Sequence, residues 1–195
     1  MNPEAASEVF GRLEREVWLV TAGAGSRRGG LIATFVSQAS LAPSLPRVLV
    51  GLGKPHFTWE LVEQAGAFAL HLLGDEHLDW VWRFGLQSGR AVDKLAGLVA
   101  RPGASGAPIL LDARGWLDCR VEARLDTGDR TVYLAEVLDA RPPDARPLLN
   151  VARLLPQTPP ELRRELDAQR AHDAAIDARA IETWRREHTD APGKA

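Results

Sequence analysis

The chain has 195 residues, enough for one domain with a substantial core, and its 45% hydrophobic and 26% charged content is that of an ordinary globular protein. Its formal net charge of −2 gives no reason to expect nucleic acid or an anionic membrane surface as a partner. The one cysteine, Cys119, excludes an internal disulfide, and no apolar run approaches the roughly 20 residues that span a bilayer. We therefore expect a protein of the reducing cytoplasm.

The first half of the chain is typical of strands separated by turns and helices. A short helix is predicted over residues 8–16, then a strand in VWLVTA, while GAGSRRGG at residues 23–30 is typical of a turn. Two further strands are predicted in LIATFVSQAS and RVLVGLG. FTWELVEQAG predicts a helix stopped by Gly66, followed by a strand in AFALHLLG and a helix in DEHLDWVWRFGL.

The second half contains the clearest strand, WLDCRVEARLD. Apolar residues alternate in it with polar ones, which predicts a buried face of Leu117, Cys119, Val121, Ala123 and Leu125 and a wet face of Asp118, Arg120, Glu122 and Arg124. The turn DTGDR and the run TVYLAEVLDA complete an antiparallel hairpin. Because strands do not alternate regularly with helices, we expect a mainly β fold with helices, built on a closed or nearly closed antiparallel barrel.

The composition changes near residue 156, where Ala, Arg, Glu and Asp become dominant. We predict a barrel domain over residues 1–155 and a helical extension over residues 156–195. The narrow apolar stripe of this extension would lie on the barrel or on a second subunit.

Hydroxyl and basic residues follow two neighbouring predicted strands. A helix that starts near Thr58 has free N–H groups, and its dipole favours an anion at that end. Lys54 and His56 come just before this start, and the combination is typical of a phosphate site. The simpler interpretation is that Thr58 caps the helix and Lys54 is solvated. The hydroxyls of Thr34 and Ser40 likewise fit either local backbone hydrogen bonds or a flat heteroaromatic ligand.

The order of these segments resembles the flavin reductase-like family of FMN-binding split barrels. The resemblance covers roughly residues 12–150 and is carried by VWLVTAG…GGLIATFVSQASLAPSLPRVLVGLGKPHFTWELVEQAGAFALHLL and by GAPILLDARGWLDCRVEARLDTGDRTVYLAEVLDA. It implies a homodimeric oxidoreductase that accepts a hydride from NAD(P)H, with FMN, or FAD as the alternative, in a groove near the subunit interface. An electron-carrier protein that binds flavin without oxidising NAD(P)H is the alternative function.

The resemblance also implies which residues contact the flavin: Ala33, Thr34, Phe35, Val36, Ser40, Leu52, Gly53, Lys54, His56, Thr58 and Lys94. Residues 33–36 would meet the ring mostly through backbone, and Gly29, Gly30 and Ala33 would leave an open ligand face. Lys54, His56 and Thr58 would hold the phosphate. Lys94 belongs to an Asp-Lys pair like one near the flavin tail in the family, and a surface ion pair with Asp93 is the alternative.

One position departs from the family pattern. Family reductases carry a Gly-Asp-His sequence in the later hairpin, whereas here Gly128 and Asp129 are followed by Arg130. Arg130 would pair with a nucleotide phosphate or a carboxylated substrate, or form an ion pair with Glu122 or Asp129. The departure leaves flavin binding untouched but puts hydride acceptance from NAD(P)H in doubt.

The histidines predict no metal site. His56, His71 and His77 lack the spacing of metal ligands, so we expect His71 to be a core residue and His77 to be solvated. No catalytic side chain is predicted, because a flavin reacts at its own N5 and needs no side-chain acid or base.

Overall fold

A computed structural model describes residues 2–189. The strands are β1 (Trp18–Ala24), β2 (Arg27–Ala33), β3 (Val36–Gln38), β4 (Arg47–Gly53), β5 (Ala67–Leu72), β6 (Ala100–Pro102), β7 (Pro108–Leu110), β8 (Gly115–Asp126) and β9 (Arg130–Arg141). The helices are α1 (Pro3–Gly11), α2 (Phe57–Ala65), α3 (Leu78–Leu86), α4 (Val151–Leu154) and α5 (Pro160–Thr189), with short 3-10 turns at Asp75–His77 and Leu155–Gln157.

One short connection closes the main sheet on itself. Seven strands pair in the order β2-β1-β5-β8-β9-β4-β3, all antiparallel, so β2 and β3 are the two edges. Only Thr34 and Phe35 separate these edge strands in the chain, and two extended residues span no more than about 10 Å. The edges therefore lie close together at this crossing, and the sheet curls into the predicted antiparallel split barrel.

Branched and aromatic side chains fill the curled sheet. The fully buried residues of this core include Val20, Val50, Phe68 and Tyr133, and α2 adds Leu61. A second apolar cluster lies under α3. α2 ends as predicted at Gly66, whose φ of 62° is a left-handed conformation that glycine adopts without strain.

Three of the local predictions differ from the structure. The turn predicted over residues 23–30 is confined to Gly25 and Ser26, because Arg27 and its successors pair with β1. The single strand predicted over LIATFVSQAS is divided between β2 and β3, on opposite edges of the sheet. The first helix begins earlier than predicted, at Pro3, where the side chain of Asn2 caps it.

β8 keeps only part of the predicted alternation. Cys119 is fully buried as expected, but Asp118 is also fully buried, and Leu125 is 62% exposed. The pairing with β9 shifts register after Asp118 and again after Val121, and each bulge changes the face that the following residues occupy. Asp118 accepts hydrogen bonds from the N–H group (2.9 Å) and the hydroxyl of Ser105, which compensate for its burial.

The predictions for two histidines had different outcomes. His71 is a core residue as expected; its Nε2 accepts a hydrogen bond from the Leu110 N–H at 3.0 Å, and burial lowers its pKa to about 4. The prediction that His77 is solvated is wrong, because it is 4% exposed and its Nδ1 accepts a hydrogen bond from the Gly74 N–H at 3.0 Å.

α5 follows the barrel in the chain and packs on it. None of the described α5 side chains is fully buried; those of Leu162, Leu166, Ile176 and Trp184 are half-buried on one face. Within residues 2–189, no helix combines the length and the apolar character needed to cross a membrane.

Candidate functional site

The crossing from β2 to β3 forms the centre of the candidate site. Ala33 is 6% exposed, Thr34 and Val36 are half-buried, and Phe35 points outward with 56% of its surface exposed. The Phe35 carbonyl accepts a hydrogen bond from the Gly51 N–H on β4 at 2.9 Å. The crossing is thus a strip of main chain that is fixed on β4 and flanked by small residues.

The end of β4 and the start of α2 lie beside this crossing. His56 is the N-cap residue of α2, but its side chain makes no capping hydrogen bond. Thr58 lies inside the helix and is 2% exposed, so the interpretation that Thr58 caps α2 is wrong. The first N–H groups of α2 therefore have no side-chain cap, and they lie at the end of the helix dipole that favours an anion.

A cavity of about 250 Å³ opens beside the start of α2. Its walls are residues 55–58, residues 84–90, Lys94 and one face of α5. Pockets that enclose a whole drug-sized ligand measure about 300–1,000 Å³, so this cavity fits the tail of a nucleotide rather than its ring and tail together.

A second, more open cleft of about 580 Å³, which was not predicted from the sequence, adjoins this cavity and shares Phe57, Gly89 and Arg90 with it. Its arginines already have acidic partners. Arg28 pairs with Asp93 at 2.8 Å, Arg27 lies 3.9 Å from Glu60, and Arg90 also pairs with Glu60. Arg27 and Arg90 share one carboxylate, so the residues that line the cleft keep a net charge of +1.

Neither predicted lysine is free in solvent. Lys54 Nζ lies 2.7 Å from the Asp126 carboxylate, and the hydrogen bond from Lys54 lowers the pKa of that carboxyl. Lys94 is 4% exposed and donates to the carbonyls of Phe84 and Gln87 at 3.0 Å, so it caps the end of α3. Burial lowers the pKa of Lys94 to about 8. The predicted alternatives, a solvated Lys54 and an ion pair of Lys94 with its neighbour, are both wrong.

Arg130 lies at the tip of the β8–β9 hairpin and is held on three sides. Its Nε donates to Asp129, its Nη2 lies 2.7 Å from the carboxylate of Asp177, and its guanidinium carbon lies 4.6 Å from the centre of the Phe35 ring. The predicted pair with Asp129 is confirmed and the pair with Glu122 is wrong. The partner on α5 was not predicted.

Five titratable groups meet where α5 approaches the barrel: His56, Lys94, Arg130, Asp173 and Asp177. Burial is the main cause that lowers the pKa of His56, while the negative charge of Asp173 acts against it. Burial raises the pKa of Asp177, and the charge of Arg130 acts against this rise. The two carboxylates, one helical turn apart, therefore face the basic side of the predicted site.

Most of the predicted site residues lie at one end of the barrel. They are Ala33, Thr34, Phe35, Val36, Leu52, Gly53, Lys54, His56, Thr58, Lys94 and Arg130. Leu52 is 1% exposed with its side chain in the core, so only its backbone is available to a ligand.

Ser40 does not join this group. The Ala39 N–H donates to the Arg47 carbonyl at the start of β4, so Ser40 lies about 20 Å along that strand from Gly53. The Ser40 hydroxyl accepts a hydrogen bond from the Ala42 N–H at 3.1 Å, which is the local role that was the alternative.

The open ligand face predicted at two glycines is wrong. A Cβ on Gly30 would lie 2.7 Å from the carbonyl oxygen of Val20 and 3.0 Å from the ring of Phe84, and a Cβ on Gly29 would lie 3.2 Å from Phe57. These glycines let α2 and α3 pack closely on the sheet, and they do not leave space for a ligand.

Three carboxylates near the site were not predicted from the sequence, those of Asp126, Asp173 and Asp177. For the two on α5, the sequence contains one indication that they face the barrel. Asp173 and Asp177 flank Ile176 on the apolar stripe of that helix, and residues three and four positions apart share one helix face.

The sequence matches a known family over most of its length. Residues 10–158 match the family described as the flavin reductase like domain. Diflavin flavoprotein A 1 of Synechocystis sp. is 28% identical over 135 residues, which cover 69% of this chain and 23% of that protein. The high molecular weight rubredoxin of Moorella thermoacetica is 29% identical over 126 residues, covering 64% of this chain and 54% of that protein. The chain thus spans about a quarter to half of the length of these relatives.

Two solved structures share this architecture, and the match covers a larger part of their chains than of the two relatives above. The NADH:FAD oxidoreductase of Streptomyces globisporus is 28% identical with a TM-score of 0.67, and the match covers 76% of this chain and 88% of that chain. Nitrilotriacetate monooxygenase component B from Mycobacterium thermoresistibile is 26% identical with a TM-score of 0.65, covering 74% and 78%.

Proposed function

The chain belongs to the flavin reductase-like domain family, and on that premise we propose that it is a flavoprotein oxidoreductase that binds FMN, or FAD, and accepts electrons from NAD(P)H. The observation that carries the proposal is the crossing at Thr34 and Phe35. There the Phe35 carbonyl is held by the Gly51 N–H on β4, and β4 ends at Gly53, shortly before α2 begins at Phe57 without a side-chain cap. This arrangement supports a site for a planar ring and an anionic tail.

The residues present fit such a ligand. Residues 33–36 and the backbone of residues 52–54 would lie against the ring, and the first N–H groups of α2 would receive the phosphate with Lys54 and Lys94 as counter-charges. His56, held neutral by burial at pH 7, would donate or accept a hydrogen bond there. A bound flavin supplies hydride acceptance at N5, and the chain supplies orientation and charge.

The visible spectrum of the purified protein tests this function. We expect a yellow protein whose flavin absorption bleaches when NADH or NADPH is added without air. A colourless protein that takes up neither FMN nor FAD would contradict the proposal.

Arg130 favours a second candidate function, a flavin-binding electron carrier that does not oxidise NAD(P)H. Its charge is compensated by Asp129 and Asp177, so it offers an incoming nucleotide little attraction. In that case the protein is yellow but does not bleach. Arg130→His then separates the two candidates, because a gain of NADH oxidation in the variant identifies this position as the barrier.

We propose a homodimer on the basis of an exposed apolar surface around β3 and β4. It comprises Phe35 at 56% exposure, Leu41 at 93%, Leu45 at 69% and Leu49 at 38%. Apolar residues clustered in this way favour a covered interface. Light scattering during gel filtration should give twice the chain mass, and Leu41→Asp with Leu45→Asp should give the monomer.

The cytoplasm is the location that we propose for this protein. The single Cys119 is fully buried, and its burial raises the pKa of the thiol, so it is protected from oxidation and needs no partner cysteine. A fusion to a fluorescent protein should distribute through the cytoplasm, and recovery in a membrane or secreted fraction would contradict this location.

A further inference from the structure

α5 lies across two parts of the candidate site. Near the middle of the helix, Asp173 and Ile176 line the cavity beside the start of α2. One to two turns later the helix meets the hairpin tip, where a Cβ on Gly128 would lie 2.6 Å from the Cβ of Trp184. Gly128, with a φ of 94°, therefore lets the helix lie directly on the turn that carries Arg130.

The contact between α5 and Arg130 lies over part of the outer side of the crossing, where Phe35 is 56% exposed. Asp177 holds one arm of the guanidinium at 2.7 Å, and the guanidinium lies over the ring of Phe35. A molecule that stacks on the outer face of a ring bound along residues 33–36 would need the space that Arg130 and α5 occupy.

The attachment of α5 is weak enough to be reversible. Its packed side chains are only half-buried, and Arg130 and Asp177 keep 23% and 25% of their side-chain surface exposed. The buried Nε1 of Trp184 finds no hydrogen-bond partner within residues 2–189, which disfavours the docked state. A partly exposed ion pair adds little to stability, so it can shift the docking equilibrium of the helix without fixing the helix permanently.

We propose that α5 is a gate on the substrate side of the flavin groove, and that Asp177 is the positioning residue that keeps it closed. This proposal rests on the proposed function. In the docked state, Asp177 places Arg130 over Phe35 and blocks a nicotinamide nucleotide. In the undocked state, Arg130 keeps its pair with Asp129 but loses Asp177, so its outer N–H groups become available to the nucleotide's phosphates. The gate controls the access of the electron donor.

Asp177→Asn tests the gate in the full-length chain, with Glu182→Gln as a matched amide substitution at an exposed position of the same helix. Without ligand, amide hydrogen exchange in residues 170–185 should be faster in Asp177→Asn and unchanged in Glu182→Gln. With FMN bound and air excluded, the apparent dissociation constant for NADH should fall about fivefold, because the competent state is more populated. The bleaching rate at saturating NADH should stay within about twofold of wild type.

Trp184→Ala removes a different contact of the same helix and should act in the same direction. Faster exchange with unchanged NADH dependence would overturn the gate, and so would unchanged exchange in Asp177→Asn. A bleaching rate at saturating NADH that falls more than about fivefold in Asp177→Asn would also overturn the gate, because Asp177 would then act in the electron-transfer step itself. In all three cases the protein is still yellow and the proposed function stands, whereas a wild-type protein that binds no flavin overturns both proposals.

Discussion

Arg114 and Arg130 are both held by two carboxylates, yet they lie in different surroundings. Arg114 has 6% of its side chain exposed, and it binds both oxygens of Glu76 at 2.7 and 2.9 Å and Asp144 at 2.8 Å. Its partners lie in segments that flank the barrel strands, so the network ties loops of the barrel to one another.

Arg130 is more exposed and has one partner on its own hairpin, Asp129, and another on α5, Asp177. One network joins half-exposed loop carboxylates, and the other joins a buried carboxylate of the hairpin to a carboxylate of α5. The comparison teaches that the degree of burial and the element that supplies the partner decide what an arginine with two carboxylates does.

Removing each guanidinium should give the largest difference between the two regions. Arg114→Met should lower the Tm by about 4 °C, because Glu76 and Asp144 are 42% and 46% exposed and water replaces the lost guanidinium. Arg130→Met should lower it by about 8 °C, because Asp129 is only 5% exposed and loses its charged partner. Differential scanning calorimetry at pH 7 measures both. Equal losses would contradict the distinction between the two networks.

Lys54→Ala should weaken FMN binding by about 10-fold or more, because a charge-assisted hydrogen bond to the phosphate is lost. Riboflavin has no phosphate, so its affinity should not change. Quenching of flavin fluorescence measures both affinities. If Lys54→Ala leaves FMN binding unchanged, the phosphate does not lie at Lys54.

The pH dependence of binding should give the smallest effect. The pKa of Lys94 is lowered to about 8, so its positive charge is present below that pH and is lost as the pH rises through it. FMN affinity should therefore fall by about threefold between pH 7 and pH 9, and riboflavin affinity should stay constant. Lys94→Met should remove this pH dependence; a wild-type FMN affinity that stays flat across the range would exclude Lys94 from the phosphate site.

The barrel could be predicted from the sequence because strand alternation and turn residues act over a few neighbours. The alternation in β8 failed after Asp118, where register shifts depend on the pairing with β9. Gly29 and Gly30 were assigned to a ligand because the sequence does not show that α2 and α3 pack on them. A glycine allows the close approach of a ligand or of a packed helix, and only the tertiary contacts show which of the two is present.

The sequence indicated which segments form the candidate site, but it did not indicate most of the acidic residues that pair with the basic side chains there. Lys54, His56 and Arg130 were proposed from local sequence, and so was the pair of Arg130 with Asp129, but the carboxylates of Asp126, Asp173 and Asp177 come from distant parts of the chain. Asp177 lies 47 residues after Arg130, and a carboxylate on a charged helix looks solvated until its partner is known. The role of α5 was therefore beyond reach from sequence, although its apolar stripe indicated that it packs on something.

A crystal structure of the full chain grown with FMN tests the central claim most directly. We expect the ring to lie along residues 33–36 and the phosphate to accept hydrogen bonds from the first N–H groups of α2 beside Lys54. Flavin bound elsewhere, or a crossing filled by the protein's own side chains in the presence of saturating FMN, would contradict the account.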